Sequence, residues 1–102
     1  MHPDPALLRT AVRQTLDLLA QRAPGHAVEV RVPPYAAVQC ISGPRHSRGT
    51  PPNVVETDAL TWLALAAGTL TWGEARAAAR VSASGERADL SDHLPLLGPK
   101  GH

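Results

Sequence analysis

The chain contains no phenylalanine and one tyrosine, Tyr35, so its large aromatic surface is confined to Trp62 and Trp72. That scarcity excludes the aromatic platform on which single-stranded nucleic acids stack. Cysteine also occurs once, at Cys40, which rules out an internal disulfide and suits a reducing cytoplasm. Lysine occurs only at Lys100; the other basic residues are arginines, and alanine is abundant, a bias that points to a high-GC genome such as an actinobacterium's. Charge of one sign is missing too. The net charge is +1 and the arginines are scattered, which argues against a dedicated nucleic-acid binder. The longest apolar run, Trp62 to Ala67, is far too short for a membrane span. The start, Met1-His2-Pro3-Asp4-Pro5, lacks the basic and apolar regions of a secretory leader, so a soluble cytoplasmic protein is expected.

Motifs for chemistry are equally sparse. The five histidines, His2, His26, His46, His93 and His102, show no paired ligand spacing, and Cys40 with His46 makes only a weak metal pair. Ser84-Gly85 lacks the preceding glycine of a nucleophile elbow. Asp58, Asp89 and Asp92 stand at helix starts, where capping already explains them. No glycine-rich phosphate loop is present. The expectation is no catalysis, no metal and no cofactor.

What is present is a set of short amphipathic elements. Asp4-Pro5 opens a helix over 5–22, with Leu8, Val12, Leu16 and Leu19 on one face and Pro24-Gly25 as its stop. Val28 to Val32 alternates strictly and reads as a half-buried strand. Pro33-Pro34 separates it from a second strand over 37–42, whose phase is ambiguous. Val38 and Cys40 compete with Ala37, Gln39 and Ile41 for the inner face. Gly43 to Asn53 reads as an exposed loop, with a small basic run from Arg45 to Arg48, and Val54 to Thr57 reads as a short third strand.

The informative stretch is 57–97. Thr57 or Asp58 caps a helix ending near Ala67, and Gly68 fits a left-handed C-terminal cap. Thr71-Trp72-Gly73-Glu74 is a capping box opening an Ala-rich helix that extends to about Ala79. Val81 to Ser84 forms a strand closed by Gly85, and Ser91 caps a last turn carrying Leu94, Leu96 and Leu97. Strands grouped before helices predict an α+β fold. One domain over 4–97 is expected, with 98–102 as a loose tail.

In order and spacing, Asp58, the apolar run Leu63 to Ala67, Gly68-Thr69-Leu70, Glu74 to Arg80, Val81 to Gly85 and Leu90 to Leu97 resemble the carboxy-terminal half of the sterol carrier protein family. The likeness is to its small actinobacterial branch, the bacterial sterol carrier orthologues, and it extends from Asp4 to Leu97. The resemblance implies a mostly antiparallel sheet of about five strands with helices packed on one face. It also implies a noncatalytic module whose internal cavity takes a lipid, fatty acyl or isoprenoid ligand. Carried over, the cavity-lining candidates are Val30, Val38, Cys40, Trp62, Leu65, Leu70, Trp72, Ala75, Val81 and Leu94. The helix Ala75-Arg76-Ala77-Ala78-Ala79 departs from the bulkier family pattern, and its small side chains either close such a tunnel or leave space beside it. The alternative is a filled-core structural or protein-interaction module, docking on a protein partner or forming a homodimer. Trp62 and Trp72 are core anchors in that reading and pocket walls in the first.

Overall fold

The computed structural model describes residues 4–43 and 53–97. The first helix, α1, spans Pro5–Arg22, with Asp4 accepting a hydrogen bond from the Ala6 amide at 2.9 Å. Val12, Leu16 and Leu19 are buried along it, the face that the apolar spacing marks out.

Four strands follow among the described residues: β1 Val28–Val32, β2 Ala36–Cys40, β3 Asn53–Thr57 and β4 Val81–Ser84. They form one sheet in the order β2-β1-β3-β4. The pairs β1–β2 and β3–β4 are antiparallel, while β1 and β3 run parallel. The reason lies in the connections. The β1–β2 hairpin returns the chain to the end of the sheet where β1 began. When β3 then pairs on the free side of β1, it must run the same way as β1. The sheet is thus mixed, with four strands against the expected five or so.

The register resolves the phase of β2. Val38 pairs with Val30 and Cys40 with Val28, so both side chains share the inner face with the β1 valines. Ala37 and Gln39 are exposed on the other side. The strand stops at Cys40, two residues before the expected end. Ile41 turns into a left-handed conformation at φ 65°, unusual for a β-branched residue. Its amide then donates to Ala23 O at 2.6 Å, and its carbonyl accepts from Ala27 N at 2.9 Å. Docking against the end of α1 takes Ile41 out of the ladder.

Asn53 is a second correction. Grouped with the polar loop by composition, it is a buried first residue of β3. Its amide group donates to Ala27 O at 2.8 Å and accepts from Arg87 N at 3.0 Å, tying two connections to the sheet. Residues 44–52 of that segment, including the basic run from Arg45 to Arg48, lie outside the described residues, as does the expected tail.

Helix α2 spans Ala59–Ala67, with Asp58 rather than Thr57 as its cap. Thr57 instead donates its hydroxyl to Arg80 O at 2.8 Å. Gly68 ends α2 at φ 86°, its amide donating to Ala64 O and the Thr69 amide to the same carbonyl. Helix α3 spans Trp72–Ala77, shorter than expected, and both halves of its capping box are made. The α3 exit repeats the α2 exit with a different residue. Ala79 takes the left-handed position at φ 58°, and the Arg80 amide donates to Ala75 O at 2.9 Å. Alanine gives no stop signal in sequence, and the helix ends two residues before the expected Ala79. Alanine also carries a steric cost there that glycine avoids. Ala79→Gly is therefore expected to stabilise the fold by about 0.5–1 kcal/mol, net of glycine's extra chain entropy. A rise in the urea midpoint at unchanged m-value checks this.

The last turn also differs from expectation. A single 3-10 turn covers Ser91–His93, and Leu94 begins extended backbone. Ser91 does not cap it by its hydroxyl; the Asp89 carboxylate accepts from the Ser91 amide at 2.8 Å. Pro95 and the extended backbone of Leu94 prevent helix from continuing. The Leu96 and Leu97 amides instead satisfy Ala66 O, a free carbonyl at the end of α2.

The core lies between the inner sheet face and the helices. It is filled by Val12, Leu16, Leu19, Val28, Val30, Val55, Trp62, Leu65, Leu90 and Leu96, all fully or almost fully enclosed. The outer sheet face carries Glu29, Arg31, Gln39, Glu56 and Ser82, half-exposed or exposed. Arg31 and Glu29 form an ion pair there.

Candidate functional site

The two tryptophans occupy different environments. Trp62, on α2, has no exposed surface, and its indole N–H donates to Thr15 Oγ1 at 2.7 Å. Thr15 in turn donates to Ala11 O at 2.7 Å, so α1 supplies an acceptor at the centre of the core. Trp62 therefore acts as an α1–α2 anchor, with its one polar atom satisfied.

Trp72, at the first position of α3, is 8 % exposed and borders a groove of about 320 Å³. Leu65, Gly68, Leu70, Thr71, Gly73, Ser91, Leu94 and Pro95 complete its lining. Three devices shape this groove. Gly68 ends α2 in a left-handed turn under Pro95, whose ring lies so close that a Cβ at Gly68 would come within 3.2 Å of it. The capping box then starts α3 directly, leaving only Thr69 and Leu70 to cross between the helices. Finally, Arg22 at the end of α1 donates to Leu96 O at 2.7 Å, holding the extended segment against both helix ends. Gly73 leaves the mouth open, since a Cβ there would meet nothing within 4 Å.

The ten candidate positions divide on this geometry. Leu65, Leu70, Trp72 and Leu94 line the groove. Val30, Cys40, Trp62, Ala75 and Val81 are buried in the core, and Val38 is partly buried against it. Gly68, Thr71, Gly73, Ser91 and Pro95 also line the groove but are not among the ten candidates drawn from sequence. The signals for Gly68 and Thr71 were read as helix ends, which they are; that those ends face one another depends on the long-range Ala66 and Arg22 contacts.

Electrostatics at the site are mild. Burial pushes the Cys40 thiol up to about 11, so it is no thiolate nucleophile at neutral pH. Backbone and side-chain hydrogen bonds from Thr71 hold the exposed Glu74 carboxyl below its ordinary value, and those from Ser91 do the same for Asp89. For Asp58, burial works to raise the carboxyl, but the Thr61 amide and hydroxyl, with Arg80 nearby, outweigh it and the net direction is down. The sign follows from linkage. A carboxyl lowered in the fold contributes stability that is present above its unfolded-state pKa and lost as pH falls through its folded value. Asp58→Ala should cost about 1 kcal/mol at neutral pH through the lost cap. In urea melts taken from neutral pH down through the carboxylate range, the gap between the two proteins should narrow on acidification.

Among the described residues, no group of three His, Cys, Asp or Glu side chains is placed to hold a metal ion. Ser91, Asp92 and His93 share one 3-10 turn; the side-chain hydrogen bond at that turn runs from the Ser91 amide to Asp89, not between Ser91 and His93. No described helix is long and apolar enough to cross a membrane.

A family model described as "Bacterial SCP ortholog" matches residues 4–96, a range that contains all four strands and every residue lining the groove. No curated protein matches the chain significantly.

Proposed function

Because the chain belongs to the bacterial sterol carrier protein orthologue family, we propose that it is a noncatalytic binding module whose apolar ligand lies in the Trp72 groove. The observation that carries this reading is the contrast between a filled core around Trp62 and an apolar depression beside Trp72. At about 320 Å³ the groove stands at the low end of small-molecule sites, which span about 300–1,000 Å³. A medium-length acyl chain or a short isoprenoid suits it better than a sterol. In this reading residues 4–97 act as one domain in a reducing cytoplasm, with no nucleic-acid partner.

The test uses N-phenyl-1-naphthylamine, a neutral apolar dye that brightens on leaving water. The wild-type chain is expected to bind it at micromolar concentration with a change in tryptophan emission. Gly73→Phe places a ring at the open mouth of the groove and is expected to weaken dye binding by at least about tenfold. Stability should stay within about 0.5 kcal/mol, as for an ordinary exposed substitution.

A second reading has its own support. Helix α2 carries no charged residue, yet Leu60 is 55 % exposed, Ala67 is exposed, and Leu63 and Ala64 are only half-buried. A helix apolar on all sides is normally covered. A protein-interaction module, including a homodimer, would use that face. It predicts no dye signal from either chain, the result that would displace the ligand-binding reading.

A further inference from the structure

We infer that the Trp72 groove selects a neutral ligand with a hydrogen-bonding head, an alcohol or ester, and discriminates against the fatty-acid anion. The inference rests on the groove being the ligand site. What it adds is the chemical class of the occupant.

Among the described residues, the lining contains no cation. Its polar side chains are the hydroxyls of Thr71 and Ser91 and the indole N–H of Trp72. That N–H makes no hydrogen bond to another described residue. Ser91 is exposed; its backbone amide donates to the Asp89 carboxylate at 2.8 Å, and its side chain also helps hold that carboxyl down. The polar groups bordering this otherwise apolar surface are therefore all uncharged, and the two hydroxyls among them are tied to carboxylates.

The charges closest to this rim along the hydrogen-bond network are negative. Glu74 accepts from the Thr71 amide at 2.9 Å, and Asp89 accepts from the Ser91 amide at 2.8 Å. Both partner residues line the groove, so each carboxylate stands one hydrogen bond behind the lining. Arg76 and His93 lie near enough to Asp89 to influence it, but neither lines the groove. A carboxylate head placed beside Thr71 or Ser91 would lose water, find no cation among the described lining residues, and face two like charges. Desolvating a charge without a partner is strongly unfavourable. A hydroxyl or ester oxygen loses far less water and can accept from Trp72 or exchange hydrogen bonds with Ser91.

Calorimetric titration of the full chain at pH 7.5 with 1-decanol and with sodium decanoate, both below aggregation, tests this. The alcohol is expected to bind at least about tenfold more tightly than the anion. Equal or tighter binding of decanoate would overturn the inference while leaving an apolar site in place. Failure of both ligands would remove the site itself, and this inference with it. Ser91→Lys supplies the missing cation at an exposed position. It is expected to shift the ratio of decanoate to decanol affinity about fivefold toward the anion, the effect of one solvent-accessible charge pair. No such shift in that variant would show that the head does not lie at Ser91, which also overturns the assignment.

Discussion

Trp62→Ala should lose about 3–5 kcal/mol of stability, a large share of the total for a domain of this size. The indole is fully enclosed, so its removal forfeits burial and leaves a void that Leu16, Leu65 and their neighbours cannot fully close. The polar atom can be separated from the rest. Thr15→Val keeps the shape but strands the indole N–H, at a cost of about 1–3 kcal/mol. Trp62→Phe removes that donor, so adding Thr15→Val to it should cost less than Thr15→Val alone. Urea melts of the four proteins give the coupling. A loss below about 1 kcal/mol for Trp62→Ala would mean that this side chain borders a void, and the assignment of Trp72 as the lone groove tryptophan would fail.

Gly25→Ala should be the most damaging one-methyl change in the chain. Gly25 has φ 145°, and a Cβ there would fall 2.3 Å from both the carbonyl carbon and the oxygen of Ile41. Those are backbone atoms at the point where the edge strand β2 docks on the end of α1. Their displacement breaks the Ile41–Ala23 and Ala27–Ile41 hydrogen bonds. Combining backbone strain with overpacking, the loss should be roughly 3 kcal/mol or more. Thermal melting measures the total, and hydrogen exchange at Ala27 and Ile41 shows whether the damage begins at this junction. A change below about 1 kcal/mol, with those two amides still protected, would sink the account.

These two results bear on function from opposite sides. Trp62, Thr15 and Gly25 hold α1 against α2 and the sheet, and none of them touches the groove. The groove depends instead on a few contacts at the end of α2: Gly68 beneath Pro95, Ala66 O accepting from Leu96 and Leu97, and Arg22 on Leu96 O. Stability and ligand binding should therefore respond to different substitutions. That separation makes Gly73→Phe and Ser91→Lys informative about binding.

By itself the sequence determined what acts over a few residues. Asp4, Asp58 and Thr71 cap their helices because a side-chain oxygen reaches an amide two or three residues ahead, wherever the helix later packs. Gly68 ends α2 because it takes a left-handed backbone at little steric cost, and strict alternation marks Val28 to Val32 as half-buried. Family membership was legible for a related reason, since order and spacing of such local signals survive when individual side chains change.

Tertiary structure decided the rest. The phase of β2 was open until Val38 came opposite Val30, and Asn53 looked like loop until it met Ala27 and Arg87. Ala79 ended α3 without any residue that favours doing so. Trp62 and Trp72, equivalent in sequence as aromatic residues near helix starts, were separated by their partners: one buried on Thr15, the other bordering a groove closed by residues from two other segments. Burial and cavity shape depend on contacts distant along the chain, and local periodicity carries no information about which distant neighbour arrives.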